Sequence, residues 1–122
     1  MINIALFGLG RIGLMHGKNL MRNKDFKLKY VYDLNKKLTI KASKILKSNK
    51  ITNPSVAFKD KTLDAIFIAS STSTHIQLIL DAVKYKKAIF CEKPLDLNIE
   101  KINNCKKKIK KLNPKIQLGF NR

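Results

Sequence analysis

Short apolar runs alternate with helical patterns along the whole chain, and this alternation constrains the fold more than any other feature. The apolar runs lie at residues 2–7, 26–32, 65–70, 88–91 and 116–120, with a weaker run at 55–58 behind Pro54. Between them, apolar residues recur at helical spacing in 12–21, 38–46, 76–83 and 99–112. Strands joined by helical crossovers are typical of βαβ units. We therefore predict one α/β domain over 1–122, a doubly wound parallel sheet of about six strands with helices on both faces.

The stretch "GLGRIG" (8–13) ends the first predicted strand and leads into the first predicted helix. This GxGxxG spacing gains weight only in such a strand–helix context, because the glycines allow a tight turn and let the backbone approach a pyrophosphate at the helix N-terminus. The alternative is a glycine-rich turn with no ligand. We favour dinucleotide binding, the hallmark of a Rossmann domain. The cofactor-binding residues predicted in this turn are Gly8, Gly10, Arg11, Ile12 and Gly13.

Asp33 lies 20 residues after Gly13, at the end of the second predicted strand. An acidic residue at this distance accepts hydrogen bonds from the adenosine ribose and repels the 2′-phosphate of NADP. Asp33 could also cap the helix that follows. Lys36 and Lys37 stand close behind and could accept a phosphate, so the residues favour NAD and leave NADP open.

Hydroxyl side chains and a histidine follow the fourth strand in "SSTSTH" (70–75), at the sheet edge where open α/β sheets bind ligands. Ser71 and Thr72 are predicted to contact the ribose or phosphates. Thr74 could contact the ligand or cap the next helix. For His75, ligand contact and a packing or capping role are both open, and we include it among the cofactor-binding residues.

The fifth strand ends in "CEKPLD" (91–96), which places Glu92 and Lys93 where the sheet opens toward a ligand. Neither side chain is buried without a large cost unless it has a partner. Pro94 fixes the loop and is a candidate for a cis peptide bond. A surface salt bridge is the alternative explanation for the Glu–Lys pair.

Together these motifs resemble the N-terminal domain of the GFO/IDH/MocA oxidoreductases. The resemblance rests on "GLGRIGLMHGKNL", "YDLN", "SSTSTH", "FCEKPL" and "QLGFNR", in that order along almost the whole chain. The ending "GFNR" is most similar to that of bacterial inositol 2-dehydrogenases.

The resemblance implies an NAD-dependent dehydrogenase that moves hydride between a polyol or sugar CH–OH and the nicotinamide. Lys93 is then the catalytic residue near the reacting carbon and also borders the cofactor. Glu92 is a cofactor-binding or loop-positioning residue. The resemblance also implies a small polyol substrate and a homo-oligomer for the full-length protein.

Two departures from the family pattern stand out. A short helix usually lies between the third and fourth strands, whereas this chain is expected to have only "KDKTLD" (59–64) there. The family's catalytic Asp and His belong to a C-terminal α/β substrate domain that this sequence does not contain. We therefore expect a cofactor-binding half that is inactive alone.

The net charge of +18 raises the possibility of nucleic-acid binding. The lysines are spread along the chain, however, and the one dense run, "CKKKIKK" (105–111), has no interleaved aromatic residues for base stacking. We expect a solvated helix face and no specific nucleic acid.

With no long apolar segment and no signal peptide, we expect a cytoplasmic protein without a membrane partner. Cys91 and Cys105 are too few for a disulfide framework or a zinc site.

The sequence features leave three classes of function open. The first is the NAD-binding half of a polyol dehydrogenase, and the second is a stand-alone nucleotide-binding or regulatory module. The third is a basic nucleic-acid-binding protein, whose affinity would have to persist in salt.

Overall fold

Six parallel strands form the centre of the fold, in the order β3-β2-β1-β4-β5-β6. The computed structural model describes residues 1–120, so Asn121 and Arg122 of the "GFNR" ending lie outside the described part. The strands are β1 (Ile2–Phe7), β2 (Phe26–Tyr32), β3 (Asn49–Lys50), β4 (Ala65–Ile68), β5 (Ala88–Glu92) and β6 (Ile116–Gly119). The helices are α1 (Arg11–Arg22), α2 (Lys36–Ile45), α3 (Ser55–Lys59), α4 (His75–Lys84) and α5 (Ile99–Ile109). The doubly wound parallel sheet predicted from the sequence is confirmed.

The central strand β1 is apolar throughout its second half because helices cover both of its faces. Ala5 and Phe7 pack into one core with residues of α3, α4 and α5, such as Ile79. The intervening Leu6 packs into a second core with residues of α1 and α2, including Ala42. The sheet therefore lies between two helical layers, and the strand order reverses between β1 and β4. Ligands of open α/β sheets bind at such a reversal.

The third strand lies earlier in the chain than predicted. The expected strand at 55–58 is the helix α3, and β3 is the two-residue segment Asn49–Lys50 paired with β2. Pro54 has helical dihedral angles, and the Asn53 side chain accepts a hydrogen bond from the Ser55 N–H at 2.9 Å. Ala57 and Phe58, adjacent in sequence, are both buried, which suits one face of a helix better than an alternating strand. The expected loss of the short helix before β4 is therefore also wrong.

A polar cluster ties the loop between α3 and β4 to β2. Asp60 accepts hydrogen bonds from the Lys29 ammonium at 2.6 Å and from the Tyr30 hydroxyl at 2.9 Å. The hydrogen bond from Lys29, followed by those from Thr62, holds the pKa of Asp60 well below its usual range. The ionised carboxylate thus stabilises this loop.

A side-chain cap defines the start of α5. Asn98 accepts hydrogen bonds from the backbone N–H groups of Glu100 and Lys101 and so caps α5. That helix ends at Ile109, where a 3₁₀ turn (Lys110–Leu112) follows, slightly earlier than the helical spacing predicts. Within residues 1–120, no helix combines the length and the apolar character that crossing a bilayer requires.

Candidate functional site

A cavity of about 730 Å³ opens at the carboxyl ends of β1, β2 and β4, where the strand order reverses. Its volume lies in the range of cofactor sites. The glycine turn, the end of β2 and the loop after β4 form its walls. The predicted site residues that border it are Gly8, Gly10, Arg11, Ile12, Asp33 and Ser71.

The three glycines of the turn meet three different surroundings. Gly8 has a φ of +90°, and a Cβ there would collide with the backbone of Ala69 and Ser70. A Cβ on Gly13 would lie 2.7 Å from the Gly8 carbonyl carbon, so Gly13 permits the close packing of α1 on the turn. Gly10 has nothing within 4 Å of its Cβ position and faces the open cavity. Of the three glycines, only Gly10 therefore has free space at its Cβ position.

The N-terminus of α1 is open toward the cavity. Its cap position, Gly10, provides no side-chain hydrogen bond, and no acidic residue lies in the first turn. The first N–H groups of a helix have no intrahelical partner and carry a partial positive charge. Arg11 and Ile12, both exposed, supply two of these N–H groups at the cavity wall. This end of the helix suits an anion such as a pyrophosphate.

Asp33 lies just after β2, in the wall of the cavity and next to the glycine turn. Its Oδ2 accepts a hydrogen bond from the Leu9 N–H at 2.8 Å, and its Oδ1 accepts one from the Asn35 N–H at 2.8 Å. The carboxylate is thus joined to the glycine turn and oriented by it. The capping role considered for Asp33 is wrong, because the Asn35 side chain caps α2 by accepting hydrogen bonds from Lys37 and Leu38.

The loop after β4 contributes hydroxyl groups to the cavity, although only part of the prediction applies. Ser71 and Thr74 border the cavity, and so does Ser73, which was not among the predicted residues. Thr72 is half-buried and is not part of the lining. Thr74 does not cap α4 through its side chain. Its hydroxyl instead donates to the Ser71 carbonyl at 2.7 Å, which closes the 3₁₀ turn of this loop.

His75 is buried, at 1% exposure, behind this loop. One ring nitrogen lies 2.9 Å from the Pro94 carbonyl oxygen and the other lies 3.0 Å from the Ser70 carbonyl oxygen. The ring does not border the cavity. The geometry therefore supports the packing role that the sequence left open and gives no support to the predicted cofactor contact.

The Glu–Lys–Pro motif lies beside the cavity and not in its lining. Glu92 ends β5, and its Oε1 accepts a hydrogen bond from His16 Nε2 at 2.6 Å. Lys93 is exposed, and the Lys93–Pro94 peptide bond is cis, as the sequence suggested. The alternative of a surface salt bridge between Glu92 and Lys93 is absent from the described residues. No local pattern in the sequence predicts the His16 contact, because 76 residues separate the partners.

Cys91, the residue before Glu92, is fully buried. Burial raises the pKa of its thiol to about 12, so the group is neutral at ordinary pH. Burial also raises the pKa of Cys105. A thiol is nucleophilic as the thiolate, so neither residue is a candidate for covalent chemistry.

Apolar residues outside the predicted motifs complete the cavity. They include Leu34, Leu38, Pro54 and Leu78. Leu34 directly follows Asp33 and is 77% exposed. Such a wall near Asp33 can take the flat face of an adenine ring. The signal for this wall in the sequence is an apolar residue, Leu34, directly after the acidic Asp33.

The fold and this cavity define a dinucleotide-binding domain of the Rossmann class, with a glycine turn, an open helix N-terminus and an acidic residue at the end of β2. Residues 2–120 match the model of the family described as an oxidoreductase family with an NAD-binding Rossmann fold, GFO/IDH/MocA. The chain belongs to this family. The expectation of NAD as the cofactor is confirmed at the level of the family.

Similar proteins include several inositol dehydrogenases. The chain is 34% identical to the myo-inositol 2-dehydrogenase of Thermotoga maritima, over 99% of this chain and 36% of that protein. It superposes on a myo-inositol dehydrogenase from Corynebacterium glutamicum with a TM-score of 0.93 and 38% identity, covering 100% of this chain and 37% of the other. A scyllo-inositol dehydrogenase from Lactobacillus casei, solved with bound NAD(H) and scyllo-inositol, gives a TM-score of 0.89 and 31% identity over 98% and 36% of the two chains. The chain thus spans little more than a third of the length of these relatives.

Proposed function

We propose that this chain is the NAD-binding half of an oxidoreductase that transfers hydride between a CH–OH carbon of an inositol-like polyol and NAD. The observation that carries the proposal is the cavity itself, in whose wall Asp33 is hydrogen-bonded to the glycine turn through the Leu9 N–H. The names of the similar inositol dehydrogenases support the polyol class. The oligomeric state expected from the resemblance belongs to the same proposal.

The residues present fit NAD in the places that matter for binding. The pyrophosphate would approach Gly10, where no side chain intervenes and the N–H groups of Arg11 and Ile12 are open. The ribose hydroxyls of the adenosine would donate to the Asp33 carboxylate. Ser71 would provide a hydroxyl to the other half of the cofactor. The carboxylate favours NAD over NADP, whose 2′-phosphate it would repel.

Lys93 is the residue that we assign to the chemical step. Its ammonium is exposed at the carboxyl end of β5, on the same edge of the sheet as the cavity. Bound NAD supplies the carbon that accepts the hydride. The positive charge of Lys93 would hydrogen-bond the substrate hydroxyl and favour the loss of its proton. Glu92 holds the segment that carries Lys93, and the base that takes the proton would lie in the family's second domain.

A domain exchange tests the polyol part of the proposal. Residues 1–120 would replace the corresponding domain of the Thermotoga maritima enzyme, and NADH formation from myo-inositol would be followed by absorbance. We expect turnover, and we expect Lys93→Ala to lower kcat about 100-fold while the affinity for NADH changes little. Lys101→Ala, an exposed lysine on α5, is the control and should leave both unchanged. A Lys93→Ala variant that lost only NADH affinity would refute the assigned role.

A further inference from the structure

Two histidines from opposite faces of the sheet hold the residues on either side of Lys93. His16 belongs to α1, and its contact with Glu92 precedes Lys93. His75 belongs to α4, and its contact with Pro94 follows Lys93. The catalytic lysine proposed above therefore stands between two anchored neighbours.

The contact of His16 is fixed by its aromatic surroundings. Its ring centroid lies 4.6 Å from that of Phe67 and 6.0 Å from that of Phe90, so the ring is supported on the strands β4 and β5. The Nε2 donates to Glu92 Oε1 at 2.6 Å, and both side chains are about one-fifth exposed. A Cβ on Gly119 of β6 would lie 3.2 Å from that same oxygen, so the carboxylate also lies close to β6.

The contact of His75 joins two loops. Its two ring nitrogens face the carbonyl oxygens of Ser70 and Pro94, one in the loop after β4 and one in the loop after β5. A carbonyl oxygen is an acceptor only, and a neutral imidazole has a single N–H. The ring therefore donates to at least one of the two carbonyl oxygens and lies within 3.0 Å of both, so it bridges the two loops.

Both helices that carry these histidines begin at the cofactor cavity. The helix α1 starts from Gly10, and α4 starts at the end of the loop that contains Ser71. The two contacts thus connect the two walls of the cavity to the segment 92–94. We propose that His16 and His75 are positioning residues that form a clamp on this segment and transmit cofactor binding to Lys93. This inference rests on the proposed function.

The test uses the 122-residue chain, with its backbone amides followed by NMR. Two quantities are measured for residues 92–97 other than Pro94, which has no backbone N–H: the hydrogen exchange rates in the free chain and the amide shifts on addition of NAD⁺. His16→Phe and His75→Phe keep a ring and remove the N–H groups. His16→Gln and His75→Gln restore an amide NH₂ group that can donate to the same partner. Ile79→Val, a buried change on α4, is the control for general loosening.

In the wild-type chain we expect NAD⁺ to shift amides in the glycine turn and also in 92–97. Each Phe variant should keep the shifts in the turn, lose at least half of the shifts in 92–97, and exchange there at least tenfold faster. The Gln variants should restore part of both effects, and Ile79→Val should resemble the wild type. If His75→Phe does not fold, His16→Phe and His75→Gln decide the question.

Unchanged exchange and unchanged shifts in 92–97, in Phe variants that are folded, would overturn the clamp. Exchange that rises equally in Ile79→Val would overturn it as well, since the effect would then be general loosening. A wild-type chain with no NAD⁺-induced shift anywhere would refute the proposed function instead, and the clamp's link to Lys93 catalysis with it. The exchange arm, which needs no cofactor, still reports whether the histidines hold the segment.

Discussion

Gly13 and Gly10 are separated by two residues, yet the structure predicts opposite consequences when each is changed to alanine. At Gly13, the new Cβ would lie 2.7 Å from the Gly8 carbonyl carbon and closer still to the carbonyl oxygen. Ordinary contact between carbon atoms is about 3.5–4.0 Å, so α1 and the turn must separate by roughly 1 Å. Overpacking of this kind costs about 1–3 kcal/mol, and the better helix propensity of alanine offsets up to about 1 kcal/mol. We expect Gly13→Ala to lower the free energy of unfolding by about 2 kcal/mol.

Gly10→Ala is the matched variant, because nothing lies within 4 Å of its Cβ position and its φ is −69°. Alanine is a weaker helix cap than glycine, but it also reduces the freedom of the unfolded chain. We expect a change in unfolding free energy of less than about 1 kcal/mol. The methyl group would stand where the pyrophosphate approaches. The affinity for NADH should therefore fall at least about tenfold, which corresponds to about 1.4 kcal/mol.

Urea unfolding followed by circular dichroism measures the stability of both variants, and NADH fluorescence measures binding. For a domain of this size, the loss in Gly13→Ala corresponds to a decrease in Tm of about 8 °C. If Gly13→Ala were as stable as the wild type, the close approach of α1 to the turn would not be a packing constraint. If folded Gly10→Ala bound NADH as tightly as the wild type, the pyrophosphate would not lie at this turn.

Three further predictions follow from groups outside the glycine turn. Asp33→Asn should weaken NADH binding about tenfold and reduce the preference for NADH over NADPH, as measured by matched fluorescence titrations. Asp25→Asn, a change at an exposed carboxylate, should alter neither quantity. The pKa of Asp60 in the folded chain lies below its unfolded value of about 3.9. The ionised Asp60 carboxylate therefore stabilises the folded state above that pH, and this stabilisation is lost as the pH falls below it. Urea midpoints should therefore decrease in acid, and less so in Asp60→Asn. Cys91, whose pKa is raised by burial to about 12, should resist thiol reagents at mildly alkaline pH until the chain unfolds.

Most strands could be predicted because each carries a local pattern. The runs at 2–7 and 26–32 coincide with β1 and β2, since a buried parallel strand is apolar and bounded by turns. The region around Pro54 could not be predicted in the same way. There β3 has only two residues, and the apolar stretch after it forms α3, whose burial depends on residues of the core far away in the chain.

The cofactor cavity could be predicted in part for a related reason. The glycine turn and Asp33 are separated along the chain, but strand order alone brings them to one edge of the sheet. The contacts of His16 with Glu92 and of His75 with Pro94 were not predictable, because they depend on how the helices pack on the sheet. Side-chain contacts between distant elements leave no spacing rule in the sequence.

The most direct test of the account is an NADH titration of the 122-residue chain at low and at moderate salt. A chain with a charge of +18 attracts any anion at low salt, and that nonspecific attraction weakens steeply as salt is added. We predict one NADH per chain, with binding that persists at moderate salt and falls in Gly10→Ala. Binding that disappears with salt, or that Gly10→Ala leaves unchanged, would contradict the assignment of this cavity to NAD.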